Sequence, residues 1–128
     1  MADQPSNDRA LDEFIQRELD SVPHLEALLL LWNSRPKQWS IDEMGAALYV
    51  NDSTARDILQ NLTRRQLAGR LDDETYAYST SPDRDAVVAA LDIEYRRNLI
   101  RITRLIHAKA SPGVREFADA FRFKKDRE

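Results

Sequence analysis

The sequence predicts a mainly α-helical fold carrying one short β-hairpin, and three observations point there. Apolar residues recur at steps of three and four through most of the 128 residues. A polar pair, Asn51-Asp52, separates two short helical patterns near the middle of the chain. Directly after them, Tyr76 and Tyr78 alternate with Ala77 beside an acidic turn, the period of a strand.

Composition agrees with this class. Hydrophobic residues make up 42% and charged residues 32% of the chain, which suits a single helix-rich globular domain with a core of its own. The absence of cysteine excludes disulfides and thiolate metal sites. The N-terminus is polar and acidic, without a secretory pattern. The longest apolar run, residues 27–32, falls far short of the roughly 20 residues that span a bilayer. A cytoplasmic protein with no membrane association is therefore expected.

Residues 1–7 contain Pro5 and read as a frayed tail. From 8 to 20, Leu11, Phe14, Ile15 and Leu19 form one apolar stripe, with acidic residues leading as the helix dipole favours. Ser21 can cap a second helix, and Pro23 is tolerated in its first turn, where the missing N–H has no intrahelical acceptor anyway. That helix, 24–33, carries Leu25, Leu28, Leu29, Leu30, Leu31 and Trp32 around nearly its whole circumference and should be the central buried one. His24, at its start, reads as a capping or surface residue. Asn33-Ser34-Arg35-Pro36 ends the helix.

Ser40 followed by Glu43 forms a capping-box pattern for a helix over 41–49, with Trp39 before it as a core plug. After Asn51-Asp52, either of which can cap the next helix, residues 53–67 bury Ala55, Ile58, Leu59 and Leu62. Ser53, Arg56, Asp57, Gln60 and Arg64 then lie outward. The hairpin follows, with its tip at Asp72-Asp73-Glu74-Thr75. Ser81-Pro82-Asp83 opens a helix read as continuous to about residue 109. Its stripe of Val88, Leu91, Tyr95, Leu99, Ile102 and Ile106 is too long for so small a domain to cover, so dimerisation through this helix is expected. Ser111-Pro112-Gly113 breaks the pattern, and a last short helix runs over 114–123.

The stretch 41–80 resembles a bacterial winged helix-turn-helix domain, as in MarR-like one-domain regulators. The residues that carry the resemblance are Val50 before the turn, Ser53-Thr54-Ala55, the core Leu59 and Leu62, and Leu67-Ala68-Gly69-Arg70 entering the hairpin. The end of the chain, Phe-Ala-Asp-Ala-Phe-Arg-Phe-Lys-Lys-Asp, is similar to the tail of a family of small bacterial winged-helix proteins of largely unassigned role. The resemblance implies a winged helix-turn-helix with a β-hairpin wing, flanked by an N-terminal helix and a long C-terminal dimerisation helix. The corresponding segments are 1–20, 21–82 and 83–128.

It also implies DNA binding by helix 53–67. Ser53 and Thr54 would meet phosphate or base edges at the helix N-terminus, and Arg56 and Gln60 would read bases in the major groove. Arg64, Arg65 and the wing's Arg70 would hold backbone phosphates. The expected function is a transcription regulator, a homodimer on a pseudo-palindromic double-stranded site. The alternative is a winged-helix adaptor that binds another protein, since one fold serves both.

Charge argues for the alternative. The net charge is −3, and residues 35–82 carry six basic against seven acidic side chains, where a DNA binder normally shows a basic surplus. The carboxylates at the wing tip would repel phosphate. A positive surface over Arg56, Arg64, Arg65 and Arg70 would favour DNA; a neutral or acidic one would favour the adaptor. An effector cleft between the wing domain and the long helix is left open. Catalysis finds no support: there are two histidines and three glycines, with no phosphate-cradling loop and no ligand set for a metal or other cofactor. No enzyme is expected.

Overall fold

The computed structural model describes residues 3–108, and the side chains of residues 9–108. In chain order the elements are α1 (Asp3–Glu18), α2 (Val22–Asn33), β1 (Trp39–Ser40), α3 (Ile41–Leu48), α4 (Asp52–Arg64), β2 (Ala68–Asp72), β3 (Thr75–Tyr78), α5 (Pro82–Arg97) and α6 (Leu99–Ala108). The expected break at 111–113 and the helix over 114–123 lie outside the described residues.

The capping signals act where the sequence places them. The Ser21 hydroxyl accepts from the His24 backbone N–H and shares a 2.6 Å hydrogen bond with His24 Nδ1, starting α2. Ser40 and Glu43 form a complete capping box on α3. Asn51 Oδ1 accepts from Thr54 N–H at 2.8 Å, starting α4. α1 begins earlier than expected, at Asp3, and runs through Pro5. Proline is compatible with a first helical turn because its absent N–H would have had no partner there.

α2 is the central helix, with Leu25, Ala27, Leu28, Leu29 and Leu31 buried. Around it close α1, through Leu11, Phe14, Ile15 and Leu19, and α4, through Ala55, Ile58, Leu59 and Leu62. Burying each of the larger α4 side chains stabilises the fold by about 1.5–3 kcal/mol. The sheet is antiparallel with order β1-β3-β2; Trp39 pairs with Tyr76, and Ala68 with Tyr78. Tyr76 is fully buried, so this strand face is packing surface, as expected. Trp39 is half-buried rather than a plug, its indole N–H donating to Ser34 Oγ at 2.8 Å.

Gly45 lets α3 and α4 meet closely. A Cβ there would lie 3.0 Å from the Val50 carbonyl oxygen, tighter than most side-chain carbons come, and 3.6 Å from Ala55 Cβ, an ordinary contact. The corner is turned by Tyr49 in the left-handed region (φ 59°), almost fully exposed.

The C-terminal helix is not continuous. Asn98 leaves helical geometry (φ −137°, ψ 59°), while its backbone N–H donates to the Glu94 carbonyl at 2.7 Å and its side chain to Glu94 Oε2 at 2.8 Å. The chain turns there, and α5 and α6 both pack on α1. This corrects the expected dimer stripe. Val88, Leu91, Ile102 and Ile106 are fully buried in the chain's own core, because the bend lets one domain cover them. Tyr95 is half-buried, with its hydroxyl on Glu26, and Leu99 is exposed beside Ile93 and Ile100.

Candidate nucleic-acid interface

The buried side of α4 sits on α2 and α3, which fixes what its other side presents. Ser53, Thr54, Asp57 and Arg64 are exposed, and Arg56 and Gln60 are half-buried at the edge of the same face. A helix presented this way by a second, closely packed helix can enter a major groove. Ser53, Thr54, Arg56, Gln60 and Arg64 are therefore brought together on one accessible surface.

The other two arginines are not. Arg65 caps the C-terminal end of α4 and turns back to α1. It donates to Asp20 Oδ1 at 3.0 Å and to the Arg17 carbonyl at 2.7 Å, and lies 3.5 Å from Glu18. Glu18 is buried and also receives Arg84 of α5 at 2.9 Å and Arg17 at 2.9 Å. Arg84 further donates to the Arg65 carbonyl, one of the acceptors left over at the end of α4. Arg65 thus joins α4 to α1 and α5, its guanidinium already engaged within the chain. Arg70 bends along the wing to Asp73 and to the Asp72 carbonyl.

Carboxylates crowd the remaining face. Glu74 of the wing stands 4.0 Å from Arg56. Asp42, at the start of α3, interacts with Asp52, at the start of α4. Hydrogen bonding to the Asp42 carboxyl, and then its charge, hold Asp52 above the ordinary carboxylate range. Asp72 is held below it, first by the Glu74 backbone N–H at 2.9 Å and then by the Thr75 side chain. The surface over the four arginines is therefore close to neutral: among the described residues, three of the four have a carboxylate partner, and Arg64 has none.

Sequence reasoning missed Glu18 and Arg84. Glu18 falls three residues after Ile15 and four after Phe14, inside the buried stripe, and a charged residue at such a position is the one signal that could have found it. It also passed over the pairing of Asp42 with Asp52, because side chains ten positions apart meet only after the corner folds.

A groove of about 410 Å³ opens between α2, the end of α3 and α5, lined among others by Leu29, Leu30, Leu48, Tyr49, Tyr95 and Arg96. Among the described residues no group of three or more histidine, aspartate or glutamate side chains is placed to hold a metal ion, and no helix is long and apolar enough to cross a membrane.

No protein-family profile matches the chain, and no curated protein does. Solved structures do resemble it. MepR, a transcription regulator of the Staphylococcus aureus multidrug efflux pump MepA, superposes with a TM-score of 0.51 at 17% identity, over 94% of this chain and 87% of its own. RV1404 from Mycobacterium tuberculosis gives 0.51 at 20% identity, over 91% and 83%. The S. aureus MepR–DNA complex gives 0.51 at 16% identity, over 91% and 85%. At such identities the likeness establishes architecture. This chain has the winged helix-turn-helix fold found in these bacterial transcription regulators.

Proposed function

We propose that this protein is a DNA-binding transcription regulator, with α4 as the recognition helix in the major groove of double-stranded DNA. The observation that carries the reading is the exposed polar face of α4, held out by α3 in a fold also seen in a protein solved with DNA. Ser53 and Thr54 approach the backbone with the helix N-terminus, Arg56 and Gln60 reach base edges, and Arg64 meets phosphate. Arg70 joins them once it leaves Asp73. Arg65 sets the tilt of the helix and touches no DNA.

The active form is a homodimer on a pseudo-palindrome, two half-sites about one helical turn apart. Ile93, Leu99 and Ile100, exposed on α5 and α6, supply an apolar face for the second copy.

The second reading is a protein-binding adaptor, favoured by the carboxylates at the wing tip and the near-neutral arginine face. One experiment separates the two. Fragmented genomic DNA from the source organism is captured on the purified protein, washed at two salt concentrations and sequenced. A few palindromic sites should be enriched, weaken with salt and vanish with Arg56→Ala. Recovery no better than bare beads at low salt leaves the adaptor.

A further inference from the structure

The wing tip is fixed in place, and what it holds over α4 is negative charge. The Ile41 backbone N–H donates to the Glu74 carbonyl at 3.2 Å, tying the tip to the start of α3. Asp72 Oδ1 accepts from the Glu74 N–H at 2.9 Å, which closes the turn. From that frame Glu74 reaches Arg56 and Asp73 takes Arg70. Asp42 and Asp52 lie in the same neighbourhood, and the charges of Arg56 and Glu74 are both felt at Asp52. Glu74 thus stands 4.0 Å from the Arg56 guanidinium, and Asp52 feels its charge from the start of the same helix.

We propose that Asp73 and Glu74 are an internal stand-in for phosphate: they occupy Arg56 and Arg70 until DNA displaces them, and so lower the affinity for duplex DNA of any sequence. The proposal rests on the DNA-binding reading of α4. Non-specific binding comes almost entirely from neutralised phosphates and released counterions. A carboxylate beside each arginine therefore subtracts a modest part of that affinity, the size of an exposed ion pair. The penalty falls on every sequence, so stable binding is left to sites whose base edges add the contacts of Arg56 and Gln60. It also explains how a chain of net charge −3 carries a recognition helix.

Both carboxylates are well exposed, at 92% for Asp73 and 68% for Glu74, so their amides leave folding intact. The test uses the full chain with Asp73→Asn, Glu74→Gln and the double variant. Fluorescence anisotropy would follow a labelled random-sequence duplex of about 30 base pairs over a salt series. Each amide should tighten binding about three- to tenfold, within what an exposed ion pair plus a removed repulsion can supply. The slope of log affinity against log salt should steepen by about one for each arginine released. Arg56→Ala should cost more in the Glu74→Gln background than in the wild type, the signature of coupled residues. Binding by all proteins with equal affinity and slope, or an Arg56→Ala cost equal in both backgrounds, overturns the mask and leaves the regulator reading standing. Failure of wild type and double variant alike to hold the duplex at low salt brings down both.

Discussion

The two ends of α4 carry an arginine each, and the two have opposite fates. Arg56, near the N-terminus, is half-exposed and stands 4.0 Å from a carboxylate that is itself mostly in solvent. Arg65, at the C-terminus, is more covered and faces Glu18, whose side chain is only 8% exposed. A pair in water is loose and contributes little, whereas a carboxylate taken out of water must keep its partners. One end of α4 is consequently anchored to α1 and α5, and the other is held by a loose contact in water. Residue type does not distinguish an anchor from a reader; the burial of the partner does.

That comparison breaks most visibly at Glu18. Glu18→Ala leaves Arg84 without its carboxylate and Arg65 with Asp20 alone, and should cost about 2–4 kcal/mol of stability in urea denaturation. Glu74→Ala, at the loose end, should stay within about 0.5 kcal/mol. Equal losses would mean that the two ends are held alike. Next come the neighbours Arg64 and Arg65. Arg65→Ala should lower stability by about 1–2 kcal/mol, while Arg64→Ala leaves the thermal midpoint unchanged and weakens duplex binding several-fold. The reverse pattern would return Arg65 to the phosphate-contacting set.

The smallest effect concerns Asp52. Its carboxyl is raised by Asp42, so its contribution to stability is complete below the unfolded-state value and is lost as pH rises through the raised native one. Asp52→Asn should therefore gain on the wild type in thermal midpoint between about pH 3 and pH 7, the gap opening as pH rises. A gap independent of pH would deny the Asp42–Asp52 repulsion.

Much of the architecture was legible because helix starts and apolar faces are written locally. Ser21, Ser40 and Asn51 each cap the helix expected of them, and the stripe of Ala55, Ile58, Leu59 and Leu62 is buried as its spacing requires. Periodicity reports which face is apolar and says nothing of what covers it. Val88, Leu91, Ile102 and Ile106 accordingly looked like a surface for a second copy, yet α1 covers them once the chain turns at Asn98. Asn98 itself was hidden because the apolar residues on either side resume in step. The exposed half of α4 was readable from its spacing. The partners of its arginines were not, since Glu18, Asp20 and Arg84 come from distant parts of the chain.

Gly45 has a mechanical consequence. With no side chain at Gly45, α3 and α4 pack closely at the corner and act as one lever, fastened at the Glu18 end. α4 spans 13 residues, about 20 Å, so a tilt of about 5° about the fastened end sweeps its tip through about 1.7 Å. That displacement exceeds the tolerance of a hydrogen bond to a base edge. A small rotation between α1 and α5 would be magnified where Ser53 and Thr54 sit and barely felt at Arg64.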